Sequence, residues 1–185
     1  MMIERLYFKA EKLAEPGSSF LLRQEFLYYF IHITRRLAFL EGFSPGERED
    51  LSAILFKVLD AAMAELPESM RAECLELSLR EANEAEIDYA GSKEVYPKND
   101  PLAEGDSVYS KLARKIIEKL GRNHNSEIAF QIITATSEQL RQANVPNLLK
   151  EIRPNLHKYA EVARSVSMSE ADRVEFARGF RVSKI

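Results

Sequence analysis

From residue 20 to residue 42, apolar side chains return every three or four positions. Leu22, Phe26, Tyr29, Phe30, Ile33, Leu37 and Leu40 carry the stripe. That spacing predicts a long helix, and Gly42 is a suitable stop. Leu27 and Ile31 widen the stripe. The helix is therefore expected to be buried on more than one side or to meet a partner, with Phe26, Tyr29 and Phe30 as the interface candidates. A second helix is expected directly afterwards. Ser44 suits the N-cap, Pro45 the first helical position, and Glu47, Glu49 and Asp50 the positive end of the dipole. Leu51, Ile54, Leu55, Val58, Leu59, Ala62 and Leu66 give its apolar stripe. Lys57 and Ala61 lie one turn apart on a different face.

The pattern changes after Pro67. In "CLELSLRE", Leu75, Leu77 and Leu79 alternate with polar residues, and in "AEIDYAGS", Ile87 and Tyr89 do the same. A period of two predicts strands, and the residues between them tolerate a turn, so a hairpin is expected. The Glu-, Ala- and Leu-rich composition supports the alternative, a helix with Leu75, Leu79 and Ala82 on one face. A short first strand is expected in "ERLYFKAE", and a further strand in "SEIAFQIITAT", with Ile128, Phe130 and Ile132 on one side. "GSKEVYPKNDPLAEGDS" reads as a long loop. "VYSKLARKIIEKLG" reads as a helix through Leu112, Ile116 and Leu120. From Ser137 onward short helical stretches stop before Pro146 and Pro154, and the last begins at a capping-box-like Ser169. The expected organisation is a mixed α+β domain over 1–136 and a helical extension over 137–185. An all-α bundle is the alternative.

Composition narrows the class. The chain has 185 residues, 45% hydrophobic and 30% charged, which suits one globular domain able to bury a full core. Cys74 is the single cysteine, so there is no intramolecular disulfide, and a structural zinc site is not expected. The longest apolar run, Phe26–Ile33, falls short of the roughly 20 residues a membrane span needs, and the charged N-terminus lacks the apolar core of a signal peptide. A cytoplasmic protein is expected. The net charge of −3 is unevenly spread. Residues 60–106 hold thirteen acids against four bases, whereas residues 137–185 hold nine bases against six acids. An acidic middle repels phosphate, and the basic tail has no Lys/Arg cluster, so nucleic acid is not the expected partner.

The order strand, helix, helix, hairpin, loop, helix, strand over residues 3–135 resembles the GHKL ATPase family, in its anti-sigma-factor serine-kinase branch. "RRLAFLEGFSPGEREDLSAILFKVLDAAM" carries the resemblance most strongly. It implies a GHKL-like sandwich of a sheet and helices. In that family a Glu and an Asn one turn apart serve as general base and magnesium ligand. Lys57 and Ala61 occupy those positions here. Neither supplies that chemistry, and Asp60 points about 100° away around the helix. The resemblance places an adenine-binding acid at Asp88, with Gly91 behind it, if a nucleotide binds. The phosphate loop is reduced to "AEGDSVYS", with Gly105 alone. The implied protein is a degenerate, pseudo-ATPase scaffold. It would be a regulatory protein that binds a protein partner, in partner-switching or phosphorelay signalling, and the apolar first helix suggests a homodimer. ATP with magnesium would be its cofactor only if Asp60 and Asp88 rescue the pocket for an active serine kinase.

Other chemistry is sparse. Lys57 and Asp60 fit the wet face of an amphipathic helix, and Asp88 fits a turn. His32 lies in an apolar run, where a core or interface histidine is expected; Ile33 stands where a histidine-kinase dimerisation helix has an acid. His124 and His157 have no metal-ligand spacing. Cys74 has no local nucleophile signature. Glu81, Glu84 and Asp88 echo the all-acid magnesium sites of nucleotide pyrophosphohydrolases, but the second paired-acid motif does not follow. The all-α alternative implies an interaction or scaffold module with no nucleotide.

Overall fold

A computed structural model describes residues 18–64, 66–93, 107–120 and 144–165. Its helices are α1 (Ser18–Leu40), α2 (Pro45–Met63), α3 (Glu68–Ala90), α4 (Val108–Leu120), α5 (Val145–Ile152) and α6 (Leu156–Ser165), with a 3-10 turn at Arg153–Asn155. No β-strand occurs among the described residues. The α+β expectation is therefore corrected, over the described residues, to a helical architecture without a sheet, and the GHKL resemblance does not hold. The strands expected at 4–11 and 126–136 lie outside the described residues, as do most of the expected long loop and the helix beginning at Ser169.

The chain sorts into two compact units. Residues 1–30 and 91–145 make one, and residues 31–90 and 146–185 the other. In the first, α4 buries Val108, Tyr109, Leu112, Ala113 and Ile116, a stripe of helical period. The backbone N–H of Ser110 donates to Ser107 Oγ at 3.0 Å, which satisfies one of the orphan donors at the start of α4. Between Gln24 and Arg35 burial reaches all sides of α1. Phe26, Leu27, Tyr28 and Tyr29 are buried in the first unit, and Ile31, His32, Ile33, Thr34, Arg35 and Ala38 in the second.

In the second unit, α1 ends at a Schellman motif. Gly42 takes φ +70, its N–H reaches Phe39 O at 3.1 Å, and the Phe43 N–H reaches Ala38 O at 2.9 Å. Ser44 and Glu47 then form a full capping box at the start of α2. Helix α2 packs against both α3 and α6. Its buried positions are Leu51, Ser52, Ala53, Leu55, Phe56, Leu59 and Met63. This face is rotated from the expected stripe: Phe56 and Met63 join it, and Ile54, Val58 and Ala62 sit at its margin. Full burial of Phe56 or Leu59 contributes about 1.5–3 kcal/mol each. On the α6 side, Ala53 meets Ala160 and Ala163, with Ile54 packed beside them. Small side chains there let the two helices approach closely. After α2, Arg71 donates to Ala64 O at 2.6 Å and Leu66 O at 2.9 Å, covering carbonyls that the helix end leaves open.

The expected hairpin is instead the continuous helix α3. Its 23 residues contain no Gly or Pro and are rich in strong helix formers. Ser78, Leu79, Ala82, Ala85, Glu86, Tyr89 and Ala90 are buried, at helical intervals. Of the alternating leucines only Leu79 belongs to this face; Leu75 is half-buried and Leu77 exposed. The true stripe is built from small and polar residues, so three leucines with a chance period of two masked it.

Glu84, exposed on α3, separates the two architectures by experiment. In a hairpin it would lie in the turn and accept proline. Within α3, Glu84→Pro is expected to cost about 3 kcal/mol or more, and Glu84→Ala to change stability by less than about 0.5 kcal/mol. Urea denaturation of the two variants checks this.

Candidate functional site

One group of chemistry-bearing side chains in the second unit gathers where α1 meets α3. His32 and Arg35 are three residues apart on α1, and Glu86 and Tyr89 three apart on α3, so each pair shares a helix face. Glu86 Oε1 lies 2.9 Å from His32 Nδ1, and Arg35 Nη1 donates to Glu86 Oε2 at 3.4 Å. A carboxylate only accepts, so Nδ1–H is the donor in this pair. The Tyr89 ring lies 5.3 Å from the imidazole, centroid to centroid, and tilted. Arg35, His32 and Glu86 are 0%, 1% and 1% exposed, so water is excluded from all three. Burial pushes the Arg35 pKa below its ordinary value, and the Glu86 charge and hydrogen bond push back. His32 Nε2 has no hydrogen-bond partner among the described residues. The arrangement is a carboxylate clamped between two donors, and it fixes how α1 and α3 meet.

A second polar centre surrounds the α1–α2 turn. Arg153 donates from Nε to Glu47 Oε1 at 2.6 Å and from Nη2 to Glu47 Oε2 at 3.0 Å. The same guanidinium donates to the carbonyls of Glu41 and Gly42 at 3.3 and 3.1 Å, and lies 4.5 Å above the Phe43 ring. Lys150 pairs with Glu41 at 3.4 Å. Further along α2, Asp50 accepts from Arg164 at 2.6 Å and lies 3.1 Å from His157 Nδ1.

Of the residues singled out from sequence, His32 is the core histidine expected and belongs to the first centre, and His157 belongs to the second; the others lie apart from both. Lys57 donates to Asp60, its neighbour one turn on, and Ala61 is exposed. Asp88 is exposed on the last turn of α3, and Gly91 follows that helix. The resemblance that gave these positions a nucleotide and magnesium fails with the sheet. Phe26 and Tyr29 are buried, and Phe30 is half-buried. Cys74 is half-buried, Glu81 half-buried and Glu84 exposed. His157 is exposed beside Asp50, and His124 lies outside the described residues. No group of three or more His, Cys, Asp or Glu among the described residues is arranged to hold a metal. No helix among them is long and apolar enough to cross a membrane.

Sequence reasoning missed Arg35, Glu86 and Arg153. The first two had a signal: once 68–90 is helical, the spacings His32–Arg35 and Glu86–Tyr89 match on facing helices. Arg153 had none, since Glu47 lies 106 positions away. Comparison of the chain with protein-family models, with curated proteins and with solved structures finds no match.

Two outcomes follow from this geometry. Glu86→Gln removes the carboxylate charge that faces the buried Arg35, and is expected to cost about 3–5 kcal/mol in chemical denaturation. Adding Arg35→Met removes the guanidinium charge and should recover stability. The second concerns acid. The Arg153 hydrogen bonds first, and the Ser44 backbone N–H next, hold the Glu47 carboxyl down from 4.5 to about 2. The unfolded chain takes up this proton before the folded one does. The stabilisation is complete above pH 4.5 and is lost as pH falls toward about 2. Arg153→Met should flatten the decline in urea midpoint between pH 5 and pH 2.5.

Proposed function

We propose that the chain is an all-α interaction module that binds a partner protein through outward helix faces of its second unit. The supporting observation is the set of large apolar side chains that these faces hold in solvent. Met70, Leu77 and Ile87 stand out from α3, and Tyr159 and Val162, one turn apart, from α6. Ile87 and Val162 are 62% and 61% exposed, although each helix buries a full stripe on its opposite face. Single exposed apolar residues are ordinary. Sets of them at helical spacing, with Met and Tyr among them, suit an interface core. The buried Glu86 cluster and the Arg153 centre serve the scaffold in this reading, holding the faces in place.

A photo-crosslinking amino acid placed at Leu77 or at Tyr159 in the full chain, expressed in its own cells, tests the reading. Discrete adducts are expected at one or both positions and not at the exposed Lys158. Irradiation that yields no adduct at either position overturns the module.

A further inference from the structure

The outward face of α3 has an order of its own. Met70, Glu73, Leu77, Arg80, Glu84 and Ile87 are separated by three, four, three, four and three residues, and all six are exposed. A 3-4 spacing is the seam along which one helix receives another. The seam runs about 25 Å at the rise of an α-helix. Apolar residues stand at both ends and in the first half, and charged residues fill the positions between. No described helix covers these positions, because α2 packs on the opposite side of α3, where Ser78 Oγ donates to Met63 Sδ at 3.6 Å.

The charge along the seam selects what can lie there. Glu73, Glu76, Glu84 and Asp88 are exposed on or beside it, against the single base Arg80. Arg71, the other base on α3, is engaged with the carbonyls at the end of α2. Phosphate-rich partners and anionic lipid surfaces meet like charge on this face. A second copy presenting the same face would also set acid against acid. What fits is a helix with apolar residues on one side and Lys or Arg beside them. We propose that the α3 seam docks a basic amphipathic helix of a partner protein. Met70, Leu77 and Ile87 are the apolar anchors, and Glu73, Glu76 and Glu84 pair with the partner's bases. This rests on the interaction-module reading and specifies the chemistry of its partner.

The test uses the ¹⁵N-labelled full chain and two synthetic amphipathic peptides. One is built of Leu and Lys, and the other has Glu in place of each Lys. The Lys peptide is expected to bind with shifts confined to residues 70–88, and to bind more weakly at high salt. The Glu peptide is expected not to bind. Glu73→Lys with Glu84→Lys, and separately Leu77→Ser, are expected to weaken the Lys peptide about tenfold or more. All three positions are exposed, so the fold tolerates the changes. Shifts that map elsewhere, affinity unchanged in both variants, or no binding overturn the seam. If crosslinks still form at Tyr159 in that case, the module stands and only the basic partner falls. Absence of crosslinks at both Leu77 and Tyr159 overturns both.

Discussion

A carboxylate is not taken out of water alone, and Glu86 is no exception. It is buried because His32 and Arg35 approach it from α1 with two donors, and Arg35 is buried because Glu86 meets it. Each group makes the burial of the others tolerable. The constraint is geometric as well as energetic. Sliding α3 past α1 by one turn would pull the Glu86 carboxylate away from His32 and from the Arg35 guanidinium, in a buried place. An apolar contact would accept such a slip with little penalty. The ion cluster therefore specifies register, and the apolar residues of the second unit pack around a register already chosen.

The turn between α1 and α2 is held by a different logic. Its backbone is set locally by Gly42 and by the Ser44–Glu47 box, and then tied from far along the chain by Arg153. That one side chain uses carboxylate, carbonyl and aromatic partners together. It joins the 3-10 turn before α6 to the start of α2, while Asp50 ties α6 itself to the next turn of the same helix. Local caps set where α2 begins, and long-range pairs set what lies against it.

The legible parts of the fold were those written in adjacent residues. Ser44, Pro45 and Glu47 mark the start of α2, Gly42 marks the end of α1, and the spacing of Leu112 and Ile116 marks α4. The region 68–90 was misread because Leu75, Leu77 and Leu79 outweigh, by eye, a buried face made of Ser78, Ala82, Ala85 and Glu86. Helix propensity was the better guide there, since the segment offers no glycine or proline to end a helix. The polar centres were less legible still. Glu86 becomes recognisable only after α3 is known to be a helix, and Arg153 only when the chain is folded. Phe26 and Tyr29, conspicuous as letters, are interior packing, whereas the exposed apolar residues of α3 and α6 were hidden among charges.

The joint between α2 and α6 has a dynamic side. One apolar contact there sets Ala53 against Ala160 and Ala163, and alanine buries little area. Of its polar part, the Asp50–Arg164 pair is half-buried and the His157 ring is exposed, so added salt screens the histidine side most. A ten-residue helix has little intrinsic stability of its own. Detachment of α6 breaks the Asp50 pairs and the alanine contact together, and it costs less than global unfolding because the Glu86 cluster joins α1 to α3 and need not open with it. Amide exchange would record it as a separate cooperative step, faster in salt. Each such opening uncovers Ala53 and Ile54 while the Glu86 cluster stays shut.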